Sequence, residues 1–99
     1  MAINKHMVLE KGIVASYFRI ANITQNFINA EPLLDVYIYG YTDKTYRDRE
    51  KAVQDNNYQE IVFSKFYQLP IDDKKGYSRE DIYKRITEEL PEFKGAKKI

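Results

Sequence analysis

In the stretch DVYIYGYTDK, Asp35 to Lys44, tyrosine takes every second position at Tyr37, Tyr39 and Tyr41, while Val36 and Ile38 lie between them. Side chains alternate sides along a strand, so a strand here has no polar face. Leu34, Val36 and Ile38 point one way and the tyrosines the other. Gly40 interrupts the aliphatic row, which predicts a bulge, a bend or the close approach of another group, such as an aromatic ring from a neighbouring strand. Upstream, the short apolar stretch His6 to Glu10, the turn Lys11-Gly12 and the run Ile13 to Ile23 read as strand, tight turn, strand, with Gly12 free to adopt the positive φ of a hairpin. Val14, Phe18 and Ile20 of the second strand are expected in the core, opposite Ala15, Tyr17 and Arg19.

Thr24 to Pro32 reads as a connection, with Asn26, Asn29 and Glu31-Pro32 at turn positions. The strand Leu33 to Thr42 follows. Asp43 to Asn57 is a polar segment that can hold a short helix with one weak stripe, Tyr46, Glu50 and Val53, ended by DNN at Asp55 to Asn57. Tyr58 to Leu69 returns to strand character, with Ile61, Phe63, Lys65, Tyr67 and Leu69 on one face and Val62, Ser64, Phe66 and Gln68 on the other. Asp72 to Gly76 is a turn. Ser78 then caps the clearest helix, with Asp81 three residues on, acidic residues in the first turn and Ile82, Ile86 and Leu90 at fourfold spacing. Pro91 stops it, and Phe93 folds back onto the same cluster. The predicted class is α+β: a small antiparallel sheet of about four strands, sandwich-like if a second layer forms, with a C-terminal helix. Residues 1–94 form one small β-rich domain and residues 95–99 a flexible tail.

Composition narrows the function classes. With 99 residues, 43% hydrophobic and 31% charged, the chain has material for one core and about one layer packed on another. Lys plus Arg at 16 against Asp plus Glu at 15 leaves a net charge of +1, which gives no global attraction to nucleic acid or an anionic membrane. The absence of cysteine removes disulfides, thiolate metal sites and thiol nucleophiles. No segment approaches the roughly 20 apolar residues of a membrane span, and the opening MAINKHMVLEKG lacks the apolar run of a signal peptide.

No residue pattern identifies a reaction. His6 is the lone histidine and has no carboxylate or second histidine near it in sequence. Ser16, Ser64 and Ser78 lack a nucleophile elbow, and Gly12, Gly40, Gly76 and Gly95 stand too far apart to cradle a phosphate. Asp72 and Asp73 are followed by two lysines where a calcium loop needs further oxygen ligands. The expectation is no catalytic residue, no metal and no cofactor. Arg19, Arg47, Arg49, Lys65, Lys94, Lys97 and Lys98, interleaved with tyrosines, suit single-stranded nucleic acid, but acidic residues alternate with them and no RNP-like aromatic signature is present.

The excess lies in tyrosine: nine, with five phenylalanines and no tryptophan. Tyrosine pairs a large rigid ring with a polar tip, which suits surfaces buried in a partner and wet when alone. Tyr37, Tyr39 and Tyr41, joined by Tyr17 and Tyr67, are therefore candidate interface residues. The alternative is that the terminal helix or a second sheet of the same chain covers them.

The opening MAINKHMVLEKGIVASYFRI, the strand ending YGYTDK and the closing YKRITEELPEFKGAKKI resemble a group of small proteins encoded in the tail and baseplate gene modules of tailed phages and prophages of Gram-positive bacteria. The long linker YRDREKAVQDNNYQE departs from the plainer loop of that group. The resemblance brings no functional residues. It implies a structural or accessory role beside tail fibres, assembly in the host cytoplasm, residence in the virion tail if the role is structural, and as partner the chain itself as a trimer or hexamer, other tail proteins, or both. A regulatory module contacting host protein or nucleic acid, and a fibre-assembly chaperone, are the alternatives.

Overall fold

A computed structural model of the chain describes residues 2–27, 31–53, 55 and 58–99. Five antiparallel strands form one sheet: β1 (Ile3–Val8), β2 (Val14–Asn26), β3 (Leu33–Tyr41), β4 (Phe63–Pro70) and β5 (Lys97–Lys98). Their spatial order is β4-β3-β2-β1-β5, and two helices, α1 (Lys44–Val53) and α2 (Arg79–Glu89), complete an α+β fold. The first four strands are an up-and-down meander, the arrangement short connections favour. Lys11 and Gly12 carry the β1–β2 turn at φ 61° and 74°.

The fifth strand comes from residues predicted as a flexible tail. Lys98 pairs with Ile3 and Lys97 with Asn4, and the backbones of Ala2 and Ile99 exchange two hydrogen bonds of 2.8 Å. Three other boundaries move. β1 begins at Ile3 and not at His6, β2 continues through Thr24, Gln25 and Asn26, and β4 starts at Phe63 and not at Tyr58. The expected turn at Asn29 and the helix stop at Asn56 and Asn57 lie outside the described residues.

The core fills one face of the sheet. Leu34, Val36 and Ile38 of β3, Phe18 and Ile20 of β2 and Leu69 of β4 are buried against Ile82, Tyr83 and Ile86 of α2. Val14 is only half-buried. Ser78 caps α2 as expected: its hydroxyl accepts from the Asp81 amide at 3.0 Å, and the Asp81 carboxylate accepts from the Ser78 amide at 3.2 Å. Leu90 is already extended, the geometry a residue before proline prefers. Phe93 then turns back, and its ring meets Phe18 at 5.0 Å, Phe63 at 6.3 Å and Tyr67 at 5.9 Å, all edge to face.

Helix α2 also repairs a defect in the sheet. The β2–β3 register shifts between Ile20 and Asn22, and β1 pairs no further along β2 than Ile3 opposite Phe18. The Ile20 amide donates to the Tyr83 hydroxyl at 2.8 Å, and Arg79 donates to the Ile20 carbonyl at 3.3 Å. Buried backbone groups left unpaired at such a point would cost about 1–3 kcal/mol each. Tyr83 and Arg79 thus fix where α2 sits along β2.

Gly40 explains how the aromatic corner closes. A Cβ at this position would stand 2.7 Å from the Phe18 ring and 2.9 Å from Phe63 Cβ. The Phe18 ring lies over glycine backbone and reaches Phe63 at a centroid distance of 5.4 Å. Gly40→Ala is expected to force that cluster apart and to destabilise the fold by about 1–3 kcal/mol, as overpacked cores do. Urea unfolding followed by far-UV circular dichroism checks it; an unchanged midpoint would mean the ring moves aside without loss.

Candidate protein interface

The opposite face of the sheet carries the tyrosines. Alternation along β3 sets Tyr37, Tyr39 and Tyr41 away from α2, and the strand registers give each its neighbours. Tyr41 faces Tyr17, Tyr39 lies between Arg19 and Ser64, and Tyr37 lies between Asn22 and Phe66. The row is not uniform: Tyr41 is fully buried, Tyr39 half-buried and Tyr37 41% exposed.

Helix α1 makes the difference at the Tyr41 end. It covers this end through a carboxylate, while Val53 of the expected apolar stripe stays exposed. The Tyr41 hydroxyl donates to Glu50 Oε1 at 2.8 Å and accepts from Arg19 Nε at 3.0 Å. Arg47 donates to the same Glu50 oxygen at 2.8 Å, and the Glu60 amide donates to the other at 2.9 Å. Glu60 is itself held by Arg49 at 2.8 Å and by the Tyr58 hydroxyl. These bonds tie Glu60, and Tyr58 through it, to α1, and β4 begins only at Phe63. Burial raises the Tyr41 hydroxyl above its ordinary value, opposed in part by Arg19. Burial also disfavours the Glu50 charge, yet the Glu60 amide, the Tyr41 hydroxyl and the Arg47 and Arg19 guanidiniums together keep its carboxyl below its usual value.

Arg19 ties the roofed end to the open one. Its guanidinium lies 5.3 Å from the Tyr39 ring centroid and 6.0 Å from that of Tyr41, within the range of a cation–π contact. Beyond it the described residues leave the face uncovered. The Tyr37 and Phe66 rings meet at 5.1 Å, and Phe66 is 43% exposed, with Val62 also exposed just before the start of β4. At the far end Asp35 accepts from Asn26 and Gln68 at 3.2 Å each, a polar bracket across three strands.

The five candidate tyrosines therefore do not form one surface. Tyr37 and Tyr39 lie on the open part, and Tyr17 packs its edge against Tyr41 at 6.2 Å beneath α1. Tyr67 is on the α2 side of the sheet, where its hydroxyl donates to Glu92 at 2.8 Å. Burial and that carboxylate push its ionisation upward. Phe66 joins the open surface in place of Tyr41 and Tyr67. Its shared face with Val62 was visible in the sequence, but its contact with Tyr37 depends on the β3–β4 register.

Among the described residues the remaining polar side chains have structural partners or lie apart. Ser16 donates to the Thr42 carbonyl at 2.6 Å, Ser78 is a helix cap, and His6 is exposed on β1. A cavity of about 450 Å³ beside α1 is lined by Arg19, Arg47, Glu50, Lys51, Tyr58 and others, and Arg19 and Arg47 are already paired with Glu50 there. Arg49 and Lys65 are likewise paired, with Glu60 and Glu92. No group of three or more histidine, cysteine or acidic residues suited to a metal occurs among the described residues, and no helix there is long and apolar enough to cross a membrane. In comparisons with known proteins, no family model, curated protein or solved structure matches the chain.

The Glu50 cluster makes a pH-dependent prediction. A carboxylate whose folded-state value is lowered adds stability that is complete above its unfolded value, about 4.3, and lost as pH falls through the folded one. Glu50→Gln is expected to be less stable than the native chain at pH 7, and the gap is expected to close below about pH 4. Denaturant titrations at both pH values measure it, and a gap independent of pH would remove the charge from the explanation.

Proposed function

We propose that the chain is a non-enzymatic structural or accessory component of a phage tail or baseplate, acting through protein–protein association on the open part of its sheet. The observation that carries this reading is the uncovered aromatic pair Tyr37 and Phe66 on a sheet whose other face is already filled by α2. Rigid rings with adaptable polar neighbours, here Asn22, Ser64 and Gln68, are the make-up of a protein-binding surface. The resemblance to small proteins of tail gene modules supplies the setting. The nucleic-acid alternative is less well supported, because Arg19, Arg47, Arg49 and Lys65 are engaged in ion pairs.

Mass spectrometry of purified particles tests the setting: the chain is expected at a fixed copy number relative to the tail proteins. Its absence from particles, with abundance in the infected cell, would overturn the virion role in favour of an assembly chaperone. Tyr37→Ser tests the surface. It is expected to cost no more than about 1 kcal/mol of stability, the value of one cross-strand aromatic pair, and to weaken binding to the adjacent tail or baseplate protein at least roughly tenfold. Unchanged binding in a calorimetric titration would move the interface elsewhere.

A further inference from the structure

The open aromatic face ends at strand β4, whose outer edge pairs with no other described strand. Which of its backbone groups point outward follows from two observations. The Ile71 amide donates inward to the Pro32 carbonyl, and the β4 register sets Pro70 opposite Leu33. The N–H and C=O of one strand residue point to the same neighbour, and successive residues alternate. Phe63, Lys65, Tyr67 and Leu69 therefore bond to β3, while Ser64, Phe66 and Gln68 present amide and carbonyl to the outside. Pro70 lies on the outward set, where its missing N–H costs the sheet nothing.

We infer that β4 pairs antiparallel with β4 of a second copy, about a two-fold axis at Phe66, to make one continuous ten-stranded sheet. The inference rests on the reading of this sheet as an association surface and names its first partner. Self-complementarity selects the register. An axis at Lys65 would set two lysines directly opposite each other, which is unfavourable. An axis at Tyr67 would bring the Pro70 ring into a hydrogen-bonding position opposite Ser64 and leave the Ser64 carbonyl unpaired. With the axis at Phe66, Ser64 meets Gln68 and Phe66 meets its own mate, so each outward amide has a carbonyl.

The side chains agree on both faces. On the α2 side, Lys65 of one copy lies opposite Tyr67 of the other, beside the Glu92 carboxylate that already holds both residues within one chain. Positive and negative partners are thus exchanged across the axis. On the open face, Phe66 meets Phe66, and the Tyr37–Phe66 pairs of the two copies become one aromatic row. A lysine and a proline ordinarily guard an exposed edge against such pairing. Here Lys65 is neutralised by Glu92, and Pro70 lies beyond the last outward amide.

The native chain has no cysteine, so a single introduced thiol reports the register. In Phe66→Cys the two Cα atoms would lie about 5.5 Å apart, inside disulfide range. In Ser64→Cys they would be more than about 13 Å apart. Light scattering across a dilution series is expected to give a dimer for the native chain, with mild oxidation linking Phe66→Cys and not Ser64→Cys. Phe66→Pro, which removes an outward amide and spares the β3 ladder, is expected to weaken the dimer at least roughly tenfold while circular dichroism stays native. A native chain that is monomeric at every concentration, a dimer that Phe66→Cys fails to link, or equal linking by Ser64→Cys overturns the inference. The tail-component reading fails on a different measurement, the content of purified particles, so the two can be told apart.

Discussion

Strand β3 must be covered on both sides, and a chain of 99 residues has material for little more than one packed layer. The aliphatic side takes most of that material. Leu34, Val36 and Ile38 bury against α2, and Gly40 lets the Phe18 ring cross the strand to reach Phe63 and Phe93. Edge-to-face aromatic pairs add about 0.5–1.5 kcal/mol each beyond area burial, so this corner concentrates much of the fold's packing. Little remains for the tyrosine side.

That shortage is met by charge and not by apolar volume. Helix α1 has no buried residue, and it covers Tyr41 because Glu50 gathers a hydroxyl, an amide and guanidiniums around one carboxylate. Such a cluster is directional, so the roof ends where its partners end. Among the described residues the Arg19 guanidinium lies over the Tyr39 ring, and Tyr37, with Phe66 beside it, stays 41% exposed. The open surface is what a short charged helix cannot reach.

Much of this architecture was legible in the residues. The two-sided pattern of β3, the burial of Phe18 and Ile20, the reason for Gly40 and the capping of α2 by Ser78 and Asp81 all follow from local periodicity and backbone preference. Periodicity does not say which side a helix will take, so Tyr41 and Tyr37 looked equivalent. Tyr67 was grouped with them by residue type, although the β3–β4 register sets it beside Val36 on the other face. Lys97 and Lys98 have no strand pattern at all; they pair because the chain returns past β1, a tertiary fact. Tyr58 to Glu60 read as strand by composition, yet the Glu60 amide is taken by Glu50 of α1.

The junction of Ala2 with Ile99 bears on how the molecule comes together in time. The meander β2-β3-β4 joins strands that are near in sequence, whereas the β1–β5 ladder closes a loop over almost the entire chain and gains only a two-residue strand in return. Loop entropy makes such a contact late and weak. During synthesis the sheet must stand without it until Lys98 leaves the ribosome. The β1 edge is therefore the natural place for the fold to fray, and the region where backbone amides would be expected to exchange with solvent first.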